Sequence, residues 1–227
     1  MKLLVRPRCR QLLVQLSLQL CCRFPARLRL ALVAFSLCAV AAVIGATLAS
    51  RGSGSPTGLE LSADGWAGAI RPPGQPVPDF TLTDQDGKPV SSSDLKGQPI
   101  VYAFVYSTCE DVCPAQVQTI KGALDDSGRE DVKVVGISVD PANDTRKRAA
   151  SFLLKQGMTG RMEFLLGTRA QLQPVWDAFA IQPQKGNLEH TSHTVLADAR
   201  GFQRIGFPFD RLTEDGLAHD LAKLEAR

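Results

Sequence analysis

The residues of this chain best suited to chemistry lie in one short run, Cys109-Glu110-Asp111-Val112-Cys113-Pro114, directly after the apolar stretch Ile100–Val105. Two thiols four residues apart, where a strand gives way to a helix, can close a disulfide or grip one soft metal ion. A helix N-terminus favours the thiolate and so lowers a thiol pKa. A helix wound from just after Val105 through Pro114 would set both sulfurs on one side, about a turn apart. Thiolates are soft donors that suit Cu(I) and also Zn(II). Two sulfurs leave a metal short of ligands, so a third donor is expected from elsewhere in the fold.

Three histidines are available. His219 falls on the polar side of the last predicted helix and reads as solvated. His190 and His193 belong to Glu189-His190-Thr191-Ser192-His193, ahead of a predicted strand. In an extended chain, residues three apart point to opposite faces, so only one of the two can face the thiols. Spacing leaves open which one. It also leaves open a hydrogen-bonded surface histidine with no ligand role. Glu189 could orient His190 through a hydrogen bond, or stand as a plain exposed carboxylate. Asp140 and Asp144 read first as a strand-end residue before proline and a helix cap, with tuning of the site or contact with a partner as the alternative. Met158, Met162 and Trp176 read as core.

The elements that must position these groups follow from periodicity. Phe80 and Leu82 alternate with polar neighbours, and Asp86-Gly87 makes a turn, predicting a hairpin that ends near Val90. Ile100–Val105 and residues 132–139 are short, apolar and β-branched, as strands buried on both faces should be. A helix is predicted over 114–124, with Pro114 in its first turn. A second is predicted over 145–156, capped by Asp144, then a strand over 162–166. Thr168 and Gln171 form a capping-box pattern ahead of the stripe Leu172, Val175, Trp176 and Phe179, with Pro174 expected to interrupt and kink that helix. Strands at 194–197 and 202–207 flank a turn, and Leu217, Leu221 and Leu224 line a closing helix. The alternation argues for an α/β sandwich around one mixed sheet.

The 227 residues carry a net charge of +3. The first 29 hold seven bases (Lys2, Arg6, Arg8, Arg10, Arg23, Arg27 and Arg29) and no acid, which leaves the remainder at −4. Nothing in the body asks for nucleic acid. Residues 30–50 are uncharged and apolar, close to the ~20 residues that cross a bilayer as a helix. The basic flank before them predicts a cytoplasmic N-terminus and an external body. The organisation expected is a basic flank over 1–29, a single transmembrane anchor over 30–50, a flexible Pro/Gly tether over 51–76 and one domain over 77–227. Cleaved-signal and mitochondrial-leader readings stand beside it, and the short leader favours a bacterial periplasm over a mitochondrial location. Cys9, Cys21, Cys22 and Cys38 fall before or inside the anchor, so only Cys109 and Cys113 face the outside.

At these residues the chain resembles the Sco/SenC family of membrane-anchored, thioredoxin-fold copper proteins. Pro78-Asp79-Phe80-Thr81-Leu82 is similar to that family's opening strand, and Tyr106 to Pro114 to its two-cysteine motif. Ser138-Val139-Asp140-Pro141 with Asp144-Thr145 is similar to its strand-end motif, and Glu189-His190-Thr191 to its acidic–His–Ser/Thr motif. Glu110, where family members often carry proline, and Ser107-Thr108 depart from the pattern beside the metal loop. The resemblance spans roughly residues 70–225. It implies a thioredoxin-like sandwich with a mixed central sheet and copper, Cu(I) or Cu(II), held by Cys109, Cys113 and His190 rather than His193.

It further implies a metallochaperone that delivers copper to, or prepares the thiols of, the dinuclear copper site of cytochrome c oxidase. The partners implied are the copper-bearing oxidase subunit or another copper chaperone. The alternative is a dedicated thiol–disulfide oxidoreductase in which Cys109 attacks and Cys113 resolves. Its weaknesses are the wide cysteine spacing and Ser192 where thioredoxin-like oxidoreductases carry a cis-proline. A peroxiredoxin-like peroxidase fits less well, since Tyr106 stands where that family needs threonine.

Overall fold

A computed structural model describes residues 59–129, 131–183 and 192–226. Residues 30–50, where the anchor is expected, and the segment 184–191, which contains Glu189 and His190, lie outside the described residues. Among the described residues, no helix is long and apolar enough to cross a membrane.

Among the described residues, eight strands and four α-helices follow one another in the order β1 (Ala69–Ile70), β2 (Thr81–Thr83), β3 (Pro89–Ser91), β4 (Ile100–Val105), α1 (Val112–Asp126), β5 (Lys133–Ser138), α2 (Arg146–Gln156), β6 (Met162–Leu165), α3 (Arg169–Phe179), β7 (His193–Ala197), β8 (Gln203–Pro208) and α4 (Glu214–Glu225). The main sheet runs β1-β8-β7-β4-β5-β6, and β2 and β3 form a separate hairpin. β4, β5 and β6 are parallel, whereas β7 and β8 run against them, so the sheet is mixed. Every residue of β4 is buried, which its unbroken apolar run requires of a central strand covered on both faces.

α1, α2 and α4 pack on one face. α3 covers the other, with the Phe179 ring 5.2 Å from that of Tyr102 and 5.1 Å from that of Phe104. The α3 stripe behaves as its spacing requires: Leu172, Val175, Trp176 and Phe179 are all buried, and the Thr168/Gln171 capping box is complete. The helix nevertheless runs unbroken through Pro174, contrary to the expected interruption. Burial of that four-residue stripe offsets the loss of one backbone bond.

Residues 59–76 differ from the expected tether. Trp66 is buried, and the Ala67 and Gly68 amides both donate to the buried carboxylate of Asp220 at 2.9 Å. Lys223 Nζ lies 4.3 Å from the Trp66 ring centre and donates to the Asp64 carbonyl at 2.7 Å. β1 adds an edge strand to β8, and Arg71 Nη2 donates to the Phe179 carbonyl and to Gln203 Oε1. Gly68 is needed here because a β-carbon would sit 2.4 Å from Ile205 Cγ2. Proline and glycine deny this stretch regular structure of its own. Its order comes from docking on residues far along the chain.

Candidate metal centre

The thiols stand at the carboxyl end of β4, where open α/β sheets place their ligands. After Val105 the chain makes a turn closed by the Cys109 amide donating to the Tyr106 carbonyl at 3.3 Å. α1 begins only at Val112. Cys109 therefore precedes the helix instead of lying in it, and only Cys113 occupies the first turn. This corrects the expectation of one helix carrying both.

The sulfurs still meet. The N–H of Cys113 donates to Cys109 Sγ at 3.2 Å. Asp111, the residue before the helix, makes no side-chain cap bond, and the sulfur of Cys109 takes up one of the orphan donors that a cap normally satisfies. Cys109 is half-buried, Cys113 is fully buried, and neither is in a disulfide.

The pair shares one proton unequally. Hydrogen bonding from the Cys113 thiol pulls the Cys109 pKa down to about 5. Burial opposes the shift, and the backbone N–H groups of Cys113 and Asp111 and the Tyr106 hydroxyl support it. Cys113 is pushed strongly up, first by its bond to the Cys109 sulfur and then by burial. Burial, and then the bond to Cys109, raise the Tyr106 hydroxyl, which therefore stays protonated and donates. At neutral pH the arrangement is a half-exposed thiolate beside a buried thiol.

Asp144 is placed differently from expectation. Thr145, not Asp144, caps α2, its hydroxyl accepting from the Arg148 amide. Asp144 Oδ1 accepts from the Ser107 N–H at 2.7 Å and from Ser107 Oγ at 2.5 Å, and its Oδ2 accepts from Ser138 Oγ at 2.5 Å. Burial holds its carboxyl above the ordinary range despite these bonds. One signal for this role was legible: Val105 and Ser138 end adjacent parallel strands in register, so polar residues just past those ends meet.

Gln116, one turn beyond Cys113, was not singled out by sequence. It is fully buried, and its Nε2 donates to the His193 carbonyl and to Thr194 Oγ1, both at 2.9 Å. That contact puts the Thr194 side chain on the α1 face of the sheet. His193, one residue earlier in the strand, therefore lies on the opposite face, away from α1. Its Nδ1 is buried without a hydrogen bond. Burial and then the Arg71 charge lower its pKa, against a smaller opposing effect of Asp210. His219 is paired rather than simply solvated, with Nδ1 2.8 Å from Asp220 Oδ1 on α4. Among the described residues no three His, Cys, Asp or Glu side chains converge as a metal site. Two donors are in place, and His190 lies outside the described residues.

The SCO1/SenC family model matches residues 69–225. The SCO1 protein homolog of Bacillus subtilis is 33% identical over 94 residues, which are 40% of this chain and 49% of that protein. The matched segments span 48% to 64% of the lengths of the first curated relatives. Bradyrhizobium japonicum ScoI, solved with copper bound, superposes with a TM-score of 0.56 at 31% identity, covering 65% of this chain and 98% of that one. BsSco, a member of the Sco family of cytochrome c oxidase assembly proteins in which a disulfide switch was identified, gives a TM-score of 0.60 at 25% identity, with coverages of 68% and 96%.

Proposed function

Because the chain belongs to the SCO1/SenC family, we propose that it is a copper-binding protein of cytochrome c oxidase assembly, holding the ion with Cys109, Cys113 and His190. The observation that carries this reading is the Cys113 N–H directed at Cys109 Sγ. Together with the stronger pull of the Cys113 thiol, it keeps one sulfur as a soft anionic donor, with the second sulfur beside it and a half-exposed path to solvent. The pair fits copper by donor type: two thiolates suit Cu(I), and an added imidazole makes Cu(II) tolerable. Tyr106 donates to the thiolate, and the Cys113 thiol must release its proton for both sulfurs to bind. His190 is carried by its motif three residues ahead of His193. The domain acts outside the membrane, anchored through residues 30–50. It serves the copper-bearing oxidase subunit, either by supplying copper or by reducing that subunit's cysteines.

The asymmetry of the pair favours a second reading, thiol–disulfide exchange. The Cys109 thiolate attacks a target disulfide and expels one target thiolate. Cys113 then loses its proton and displaces the second, leaving a Cys109–Cys113 disulfide and a reduced target.

The test titrates the reduced full-length protein with Cu(II) and follows sulfur-to-copper charge-transfer absorption. The band is expected to collapse in His190→Ala and in Cys109→Ser and to persist in His193→Ala. A band that survives His190→Ala overturns the ligand assignment. Rapid turnover of generic disulfides with weak copper binding favours the exchange reading. Protease protection of the body in sealed inverted vesicles, with its loss on opening them, checks the topology.

A further inference from the structure

We propose that Asp144 is the positioning residue of the thiol loop, fixing Cys109 for metal capture through Ser107 without itself contacting the metal. The inference rests on the copper reading of Cys109 and Cys113 and adds a residue to it. Asp144 grips Ser107 twice with one oxygen, through the backbone N–H at 2.7 Å and Oγ at 2.5 Å. A double grip on one residue fixes both the path of its backbone and its rotamer. Ser107 lies inside the turn that the Cys109 amide closes on the Tyr106 carbonyl, so holding Ser107 holds the turn that presents Cys109.

The other end of the clamp is rigid. Asp144 Oδ2 accepts from Ser138 Oγ at 2.5 Å, and the Asp144 amide donates to the Asp140 carbonyl at 2.9 Å. The Ser138 carbonyl in turn accepts from Trp176 Nε1 at 3.0 Å, and Trp176 is fully buried. The thiol loop is thus tied through one carboxylate to β5 and to the core face of α3.

A buried carboxylate is a costly way to fill space, because desolvation disfavours the charge unless its bonds compensate. Helix capping does not account for it, since Thr145 performs that task. What remains is the convergence of its bonds on the loop two residues ahead of Cys109. Metal sites lose affinity when the groups that orient their ligands are removed.

The experiment uses full-length reduced protein, with Cu(II) as the probe. Affinity is read by chelator competition, and site geometry by the charge-transfer band and electron paramagnetic resonance at saturation. Asp144→Asn and Asp144→Ala are expected to bind about tenfold or more weakly and to show a displaced band at saturation, which loss of global stability alone would not produce. Ser107→Thr keeps both donors and should match wild type. Ser107→Ala keeps only the backbone donor and should fall between. If Asp144→Ala does not fold, the Ser107→Ala and Ser107→Thr pair carries the test. A folded Asp144→Asn protein with wild-type affinity and an unmoved band overturns the clamp while leaving the copper reading intact. Copper binding unchanged in Cys109→Ser would sink that underlying reading instead.

Discussion

The backbone N–H of Cys113 points at the sulfur of Cys109 across 3.2 Å, so the first turn of α1 is capped by a thiol where most helices use an Asp, Ser or Thr oxygen. The favourable dipole of the helix and the unmet demand of its first amides both act on that one sulfur. Capping therefore adds to the larger pull that the Cys113 thiol exerts on the same sulfur.

Its consequence is a pH profile. In the reduced protein Cys109 should alkylate rapidly at neutral pH, with a rate that halves as pH falls to about 5. A depressed thiol pKa contributes stability that is complete above the ordinary value of 9.0 and is lost as pH falls through about 5. Denaturation of the reduced protein should accordingly show a falling contribution across that window. Cys113→Ala removes the largest cause of the shift and should move the alkylation midpoint upward by about a unit or more. A wild-type midpoint at the ordinary thiol value would refute this account of the pair.

Asp220 holds residues 59–70 against α4. Asp220→Ala would leave the buried Gly68 amide and the partly buried Ala67 amide without their acceptor, at a cost of about 2–5 kcal/mol. Chemical denaturation checks the magnitude, and limited proteolysis should reveal new cleavage between residues 59 and 70. A loss below about 1 kcal/mol, with no new cleavage, would show that this strap is held by Trp66, Lys223 and the β1–β8 pairing without need of Asp220.

Gln116 ties α1 to the start of β7, but its Oε1 is buried and unbonded. Gln116→Leu loses two hydrogen bonds and also removes that orphan oxygen. The net cost should be about 1 kcal/mol, less than the two lost bonds together would suggest. Equilibrium unfolding measures it, and a cost above about 3 kcal/mol would mean that the oxygen has a partner such as bound water.

Pro174 sits exposed inside α3 and withholds one helical amide. Pro174→Ala restores that amide at a solvent-facing position and should raise stability by about 1 kcal/mol or more, read as a higher Tm. A lower Tm would indicate that the proline holds a bend which the packing of α3 requires.

Local pattern carried much of the architecture. The apolar runs of β4 and β5, the capping box at Thr168 and the stripe from Leu172 to Phe179 depend on neighbours a few residues away. Such features are written in short windows of sequence. The two thiols were legible for the same reason, since their spacing is four residues, although the turn that delays α1 to Val112 was not.

What pattern could not supply were relationships made across the fold. Asp144 read as a cap because Thr145 and the helix were next to it, whereas its true partner, Ser107, is 37 residues distant. Residues 59–76 read as loose because their own composition is poor in regular structure, yet their order comes from Asp220, 152 residues beyond Gly68. Composition and spacing thus settled which elements form and which two sulfurs could act together. Tertiary packing alone settled which carboxylate grips the thiol loop, which face His193 takes and what holds residues 59–76, because hydrogen bonds between distant segments exist only once the sheet has brought their ends together.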